Sequence, residues 1–165
     1  MKFFIFILMI FLVACTTNPK LTENSFDELL IGARAEQARR LLPHYSSDES
    51  AYVDASDCYY LQPKSNQDGL SIMIIDDTVV RFEVDDQNSK ILTEKNIGIG
   101  ATKQAVLNAY PNASIRPHPY LGQSGEYIEV ALASGSGLVF ETEFDVVARY
   151  RLGRYPEVLY IEGCL

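Results

Sequence analysis

The sequence is poor in the residues from which metal and redox sites are built. Only two histidines occur, His44 and His118, each beside a proline, and the three cysteines include no CxxC pair. So few potential ligands make a zinc site a poor interpretation, and the lack of CxxC argues against a redox role. HExxH, P-loop and G-x-G-x-x-G motifs are absent too, so the sequence predicts no cofactor.

The sequence also lacks an apolar run long enough to cross a bilayer. Phe3 to Ala14 form an apolar stretch of twelve residues behind the positively charged Lys2. A transmembrane helix needs about twenty residues, so this stretch is typical of a signal peptide over residues 1–14. It ends in Leu12-Val13-Ala14-Cys15, and the polar segment "TTNPKLTEN" follows.

This ending resembles the lipobox of bacterial lipoproteins. The resemblance implies cleavage before Cys15, which would carry diacylglycerol on sulfur and a fatty acyl chain such as palmitate on its amine. Thr16 in place of aspartate implies sorting to the outer membrane, facing the periplasm, with the cell surface left open. Residues 15–24 would then be a lipidated tether that binds the membrane. The alternative is an ordinary secretory signal cleaved near Ala14.

Charge and cysteine count fit an exported protein. Without Lys2, 13 basic residues face 22 acidic ones, a net charge of −9. Such a surface argues against nucleic acid as a partner and suits a basic protein partner, or none. With Cys15 lipidated, Cys58 and Cys164 remain, and an even pair in an oxidising compartment predicts one disulfide. Closing so long a loop stabilises by roughly 4 kcal/mol in the chain-entropy model.

The chain matches itself, without any gap, when Gly32 is laid on Gly100. Thirteen identities fall between positions 31 and 84 and their counterparts, among them Arg81 with Arg149. Each copy reads as a glycine, a helix-like stretch ending near a proline, and strand-like runs. We therefore predict an α+β fold of two tandem helix-plus-antiparallel-meander repeats, residues 25–86 and 87–165, with the helices packed on one face of a shared sheet.

Two resemblances accompany this repeat. The stretch from Ile99 to Tyr110, with "IG" leading into "ATKQAVLNAY", resembles the repeat of β-lactamase-inhibitor-like proteins and of small outer-membrane assembly lipoproteins. The stretches "RPHPY", "GEYIEV", "GLVFET" and "VVARYRLGRYPEVLYIEGC" resemble a family of periplasmic lipoproteins that end in Y-[IV]-E-G-C, some of which are labelled lectins. Neither resemblance implies catalytic residues, and the chain is predicted not to be an enzyme.

Two constellations suggest binding. Arg81 and Arg149 occupy equivalent positions in the two copies. In the first copy, strand alternation places Val79, Arg81 and Glu83 on one face of the strand and Val80 and Phe82 on the other face. These arginines either form cross-strand ion pairs or line a binding face. In "RPHPYLGQSGEY", the side chains of Arg116, His118, Tyr120 and Tyr127 offer donors and stacking faces for a sugar or a peptide. A rigid inter-strand loop is the alternative for this segment.

A third stretch, "ASGSGLVF", resembles the Ser-Gly loop of periplasmic lysozyme inhibitors. The leading functional prediction is a non-catalytic, lipid-anchored envelope lipoprotein that binds a protein or a cell-envelope component. A carbohydrate-binding, lectin-like protein and an inhibitor of lysozyme or another hydrolase are the alternatives. The bound protein or glycan stays unidentified at this stage.

Overall fold

The computed structural model describes residues 20–47, 58–65 and 69–164. The predicted signal peptide and Cys15 lie outside the described residues. Within these ranges the elements are β1 (Lys20–Leu21), β2 (Ser25–Phe26), β3 (Leu29–Leu30), α1 (Ala35–Leu41), β4 (Tyr45–Ser47), β5 (Cys58–Pro63), β6 (Leu70–Ile75), β7 (Thr78–Val84), β8 (Leu92–Thr93), α2 (Lys103–Ala109), β9 (Ser114–His118), β10 (Gly122–Ala131), β11 (Ser136–Glu143), β12 (Val146–Arg154) and a 3-10 helix (Glu157–Leu159). No helix of this part is long and apolar enough to cross a membrane.

Most strands belong to one antiparallel sheet of eight strands, in the order β4-β5-β6-β7-β12-β11-β10-β9. Its central pair is β7 with β12, where Phe82 lies opposite Leu152. A second sheet, β3-β2-β1-β8, has strands of two residues each. Strand β1 starts at Lys20, inside the segment predicted as tether, so the ordered fold begins before residue 25.

The predicted fold class is wrong, because the chain is mostly β. Each α-helix has only seven residues, and the side chains that they bury are Ala35 and Ala38 in α1 and Val106 in α2. Two turns that bury so little apolar surface cannot form a helical layer over an eight-stranded sheet. A second, small sheet contributes Leu21, Phe26 and Leu29 to the core instead.

The internal match that aligns Gly32 with Gly100 is visible in the backbone. Under the same alignment the start of α1 falls on the start of α2, and the start of β7 falls on the start of β12. Gly32 and Gly100 both have positive φ, at 90° and 81°. Their N–H groups donate to the carbonyl oxygens of Val79 and Val147, at 2.8 and 2.9 Å. Each glycine thus ties the segment before its helix to the equivalent hairpin.

Strict alternation fails in the β6–β7 hairpin and in the β11–β12 hairpin, because each contains a β-bulge. In β7 the register shifts between Met73 and Ile74 of β6, so Val80 is the extra residue. Val79 then joins Phe82 in the main core, and not Arg81 as alternation predicts. In β12 the extra residue is Ala148, and Val147 joins the core in the same way.

The large sheet buries its two faces differently. One face, with the small sheet and the helices, forms the main apolar core, which includes Leu61, Ile72, Phe82, Ile128, Phe140 and Leu152. The other face is polar and is crossed by residues 155–164, which we call the C-terminal strap. Val158 of the strap is fully buried against Tyr127 and Val139.

The predicted disulfide between Cys58 and Cys164 is confirmed and ties the strap to β5, with 5.5 Å between the two Cα atoms. This disulfide links Cys164, at the end of the described residues, to the first residue of β5.

Candidate functional site

The polar face gathers four of the six predicted binding residues around one glutamate. Strand register places Arg116, Tyr127, Glu141 and Arg149 side by side across β9, β10, β11 and β12. His118 lies at the end of β9 and reaches the same carboxylate. We call this group the Glu141 cluster, which comprises Arg116, His118, Tyr127, Glu141, Arg149 and Arg151.

Glu141 is the centre of the cluster, and its side chain is only 8% exposed. His118 Nε2 lies 2.8 Å from Oε1, Arg149 Nε lies 3.4 Å from Oε1, and Arg151 Nη1 lies 3.5 Å from Oε2. A buried carboxylate needs such compensation, because desolvation of an unpaired charge costs several kcal/mol. Sequence analysis did not select Glu141, because its facing residues depend on the bulge at Ala148.

His118 has both ring nitrogens engaged inside the fold. Nδ1 accepts hydrogen bonds from the N–H groups of Tyr120 and Leu121, at 3.1 and 3.2 Å. Nδ1 is therefore the unprotonated nitrogen, and Nε2 carries the proton that it donates to Glu141. The N–H that sequence analysis offered to a ligand is thus donated to Glu141, and Nδ1 holds the loop as an acceptor, so a ligand would meet neither nitrogen.

Tyr127 is fully buried and is enclosed by cations. Its ring stacks on His118 at 4.7 Å between centroids, and the guanidinium groups of Arg116 and Arg151 lie 4.4 and 5.2 Å from its centroid. Burial raises the pKa of Tyr127, and the charge of Glu141 raises that pKa further. Sequence analysis offered this ring as a stacking face for a ligand. The buried ring instead supports Arg116 and cannot stack on a ligand.

Three of the predicted binding residues reach solvent, above the buried side chains of Glu141, His118 and Tyr127. The side chains of Arg116 and Arg149 are 38% and 46% exposed, and Tyr120 is 68% exposed. Arg116 pairs with Glu129, and the Tyr120 hydroxyl donates to Glu162 of the strap. The pKa of Tyr120 is raised, first because its hydroxyl donates this hydrogen bond to Glu162.

Arg81 lies apart from the Glu141 cluster, beneath the strap, and its side chain is 2% exposed. Nη1 donates to the carbonyl oxygens of Glu157 and Tyr160, at 3.0 and 2.8 Å. Nη2 donates to Glu83 at 2.8 Å and to the Tyr60 hydroxyl. A ligand outside the folded chain cannot contact Arg81, so Arg81 holds the strap.

The chain end "YIEGC" has a structural role at four of its five positions. Tyr160 supplies a carbonyl to Arg81, Glu162 accepts from Tyr120, and Cys164 bonds to Cys58. Gly163 has φ of +72° and lies against the hydroxyl of Tyr60. This signature therefore describes how the strap is fastened to the sheet.

One exposed residue that sequence analysis missed is Phe144, at the turn between β11 and β12. It is 80% exposed and adopts φ of 50°, with Asp145 at 63°. Two open grooves flank it, of about 450 Å³ beside Lys103 and Leu107 and about 300 Å³ beside Ser124 and Glu126. The sequence contains a signal for this residue. Phe144 aligns with the turn residue Asp76 when Gly32 is laid on Gly100, so an aromatic side chain occupies a turn position.

The described residues contain no group of three or more His, Cys, Asp or Glu side chains arranged to hold a metal ion. His44 packs edge-on against Tyr45 at 4.9 Å, far along the chain from His118. Comparisons with protein-family models, curated proteins and solved structures find no match to this chain. The geometry of the Glu141 cluster and of the Phe144 turn is therefore what a functional proposal rests on.

Proposed function

We propose that the chain is a non-catalytic binding module, attached to the outer membrane through lipid on Cys15, that binds a protein partner in the periplasm. The exposed Phe144 carries this proposal. Aromatic side chains that protrude into solvent are the usual anchors of protein interfaces, because each buries a large area with few rotatable bonds.

The Phe144 turn is held rigidly by the rest of the fold. The Phe144 N–H donates to the Ser124 carbonyl oxygen, and the Lys103 N–H donates to the Asp145 carbonyl oxygen, both at 2.8 Å. Thr102 and Val146 form a further bridge. A fixed anchor loses little entropy on binding, which raises affinity.

The surroundings of Phe144 favour a partner pocket with a basic rim. Glu126, Glu143 and Asp145 stand around the turn, and Lys103 contacts both Glu126 and Asp145. Three carboxylates against one ammonium group leave local negative charge, as in the chain as a whole, which has a net charge of −8. Complementary charge would steer a basic partner to this surface.

The position of the tether argues against the anchoring membrane as the occupant. Near the chain start, the Glu23 carbonyl accepts from Ser134, in the hairpin that precedes β11. Phe144 follows the other end of β11, whose eight residues span about 27 Å. Cys15 stands five residues before Lys20, a reach of at most roughly 17 Å. Phe144 therefore lies at the end of β11 that is remote from the segment leading to the tether, which favours a partner in the periplasm over the anchoring bilayer.

A capture experiment tests the proposal. Residues 16–165 with an affinity tag are incubated with envelope extract, and the captured protein is identified and its affinity measured. We expect Phe144→Ala to weaken this affinity at least tenfold, while Asp76→Ala, at the equivalent turn, leaves it unchanged. Equal affinity for parent and Phe144→Ala would refute the proposed surface. Lipid attachment is tested separately: Cys15→Ala should no longer fractionate with outer membranes.

A carbohydrate-binding function is the second candidate, favoured by the exposed ring of Tyr120, whose hydroxyl donates to the carboxylate of Glu162. An aromatic face next to a carboxylate suits the apolar side and the hydroxyls of a sugar. A glycan array with parent and Tyr120→Ala tests this candidate. The inhibitor alternative loses the support of "ASGSGLVF", because Ser134 donates to Glu23 and accepts from the Ser136 N–H. A lysozyme assay with parent and Phe144→Ala tests it independently.

A further inference from the structure

The strap is held to the sheet by few noncovalent contacts. Val158 is its one fully buried apolar side chain, while Tyr155, Tyr160 and Ile161 are 39–44% exposed. Its carbonyl oxygens accept hydrogen bonds from two arginines: Arg81 binds two of them, and Arg151 Nε binds that of Val158 at 2.7 Å. Most of the strap therefore lies on the sheet and not in it.

The interface between the strap and the sheet is charged, and some of its polar atoms lack hydrogen-bond partners among the described residues. Arg81 and Arg151 are 2% and 3% exposed in their side chains. Arg81 Nε, Arg151 Nη2 and Glu157 Oε2 have no hydrogen-bond partner in the described part of the chain. Water would bind these three atoms if the strap lifted, which lowers the free energy needed to open it.

The covalent tie stands at the far end of the strap. Cys58 and Cys164 are both half-buried, so a small thiol can reach them. They are 106 residues apart in sequence, and within the described residues this is the bond that fixes the strap end to β5. Glu162, two residues earlier, accepts the hydrogen bond from Tyr120.

We propose that the Cys58–Cys164 disulfide is a lock whose reduction releases residues 155–164 from the sheet, which uncovers Arg81 and Arg151 and frees Tyr120 from Glu162. The reductant is a dithiol. Its first thiolate attacks one sulfur, the S–S bond breaks, and a mixed disulfide forms; its second thiol then displaces the chain's sulfur. Two electrons pass to Cys58 and Cys164, which end as thiols, and the dithiol ends as a disulfide.

Release would turn a closed surface into a recognition surface. The guanidinium groups that hold the strap carbonyls would face solvent beside Glu83 and Glu141. Such forked donors bind carbonyl and carboxylate oxygens in general, so the uncovered surface suits an extended or acidic peptide.

Arginine-specific labelling tests the lock. The full chain is treated with phenylglyoxal with and without dithiothreitol, and modified peptides are quantified by mass spectrometry. Arg149, 46% exposed, should react in both states and is the internal control. We expect reduction to increase labelling of Arg81 and Arg151 at least tenfold. Unchanged labelling of both would overturn the proposal.

Hydrogen exchange on the same samples separates release of the strap from unfolding. After reduction, the amides of Leu159 and Tyr160 should exchange at least tenfold faster, while β10 and β11 keep their protection. Loss of protection in β10 and β11 to the same degree would also overturn the proposal, because the bond would then be a general staple. The variant Cys58→Ser/Cys164→Ser should behave like the reduced parent and should not respond to dithiothreitol.

Discussion

Gly163 lies directly against the hydroxyl group of Tyr60, so that a Cβ atom at position 163 would stand 2.6 Å from Tyr60 Oη. Real Cβ atoms do not approach other atoms so closely. The end of the strap is therefore positioned by a missing side chain, next to the disulfide and above the Arg81 guanidinium group.

Substitution of Gly163 should destabilise more than its backbone conformation alone requires. Gly163→Ala adds a steric contact with Tyr60 to the strain of φ +72°, whereas Gly135→Ala, at φ +86°, meets nothing within 4 Å. We expect both variants to lose about 1 kcal/mol from strain, and Gly163→Ala to lose about 1–2 kcal/mol more. Urea unfolding of the two variants measures the difference, and equal losses would contradict the close contact.

Tyr60 should make the folded chain sensitive to alkali. Burial raises the pKa of Tyr60 to about 12, and the negative charge of Glu83 adds to the shift. Because this pKa lies above the unfolded value of 10, the stabilisation is complete below pH 10 and is lost as the pH rises from 10 towards 12.

Tyr60→Phe tests this sign. The variant should lose roughly 2 kcal/mol less stability than the parent between pH 10 and 12. At pH 7 it should be about 1 kcal/mol less stable, because Arg81 loses an acceptor. Unfolding at both pH values measures this, with Tyr59→Phe as the control on the other face of β5. An identical alkaline loss in Tyr60→Phe and parent would exclude this role.

Glu141 should be the most sensitive carboxylate of the polar face. Glu141→Gln keeps the shape of the side chain but removes the charge that faces His118, Arg149 and the buried Arg151. We expect a loss of about 2–4 kcal/mol in the free energy of unfolding. Asp145→Asn, whose carboxylate is 79% exposed beside Lys103, should change stability by less than about 0.5 kcal/mol. Comparable small effects would show that the cluster is not needed for stability.

Removing Phe144 should stabilise the fold. A phenylalanine at φ 50° has a backbone strain that asparagine or glycine largely avoids. Phe144→Asn should therefore gain about 0.5–1 kcal/mol, while Asp76→Asn, at φ 49°, should change little. Thermal unfolding measures both. A loss of stability in Phe144→Asn would mean that the ring packs against its own fold and is not an anchor for a partner.

Local signals in the sequence are reliable where local chemistry decides the structure. Aspartate favours tight turns and tolerates positive φ, and both Asp76 and Asp77 have positive φ in the turn between β6 and β7. Threonine is a residue type that favours N-cap positions, and the hydroxyl of Thr102 accepts from the Ala105 N–H at the start of α2, at 3.2 Å. Cys58 and Cys164 are the cysteine pair left after Cys15, and they bond. Each of these three features follows from residue type or count alone.

The features that sequence analysis misses depend on contacts between distant parts of the chain. The bulges at Val80 and Ala148 change which residues share a face, and alternation cannot reveal them. Strands of two residues, such as β1 and β8, show no periodicity at all. "EVLYIE" has the β-branched and aromatic composition of a strand. It begins instead with the 3-10 helix Glu157–Leu159 and crosses the polar face, because β12 is already paired with β7 and β11 on both sides.

The two equivalent turns, Asp76-Asp77 and Phe144-Asp145, share one backbone shape and differ in chemistry. The same turn geometry occurs twice in the fold. The side chain at the tip of each turn can therefore change, and binding specificity with it, without a change in the backbone. Asp76→Phe would then place a second exposed aromatic side chain on the molecule without any change to the loop. In the same way, natural substitutions at position 144 could change the partner that is bound, while the charged Asp76 at the other turn keeps that surface soluble.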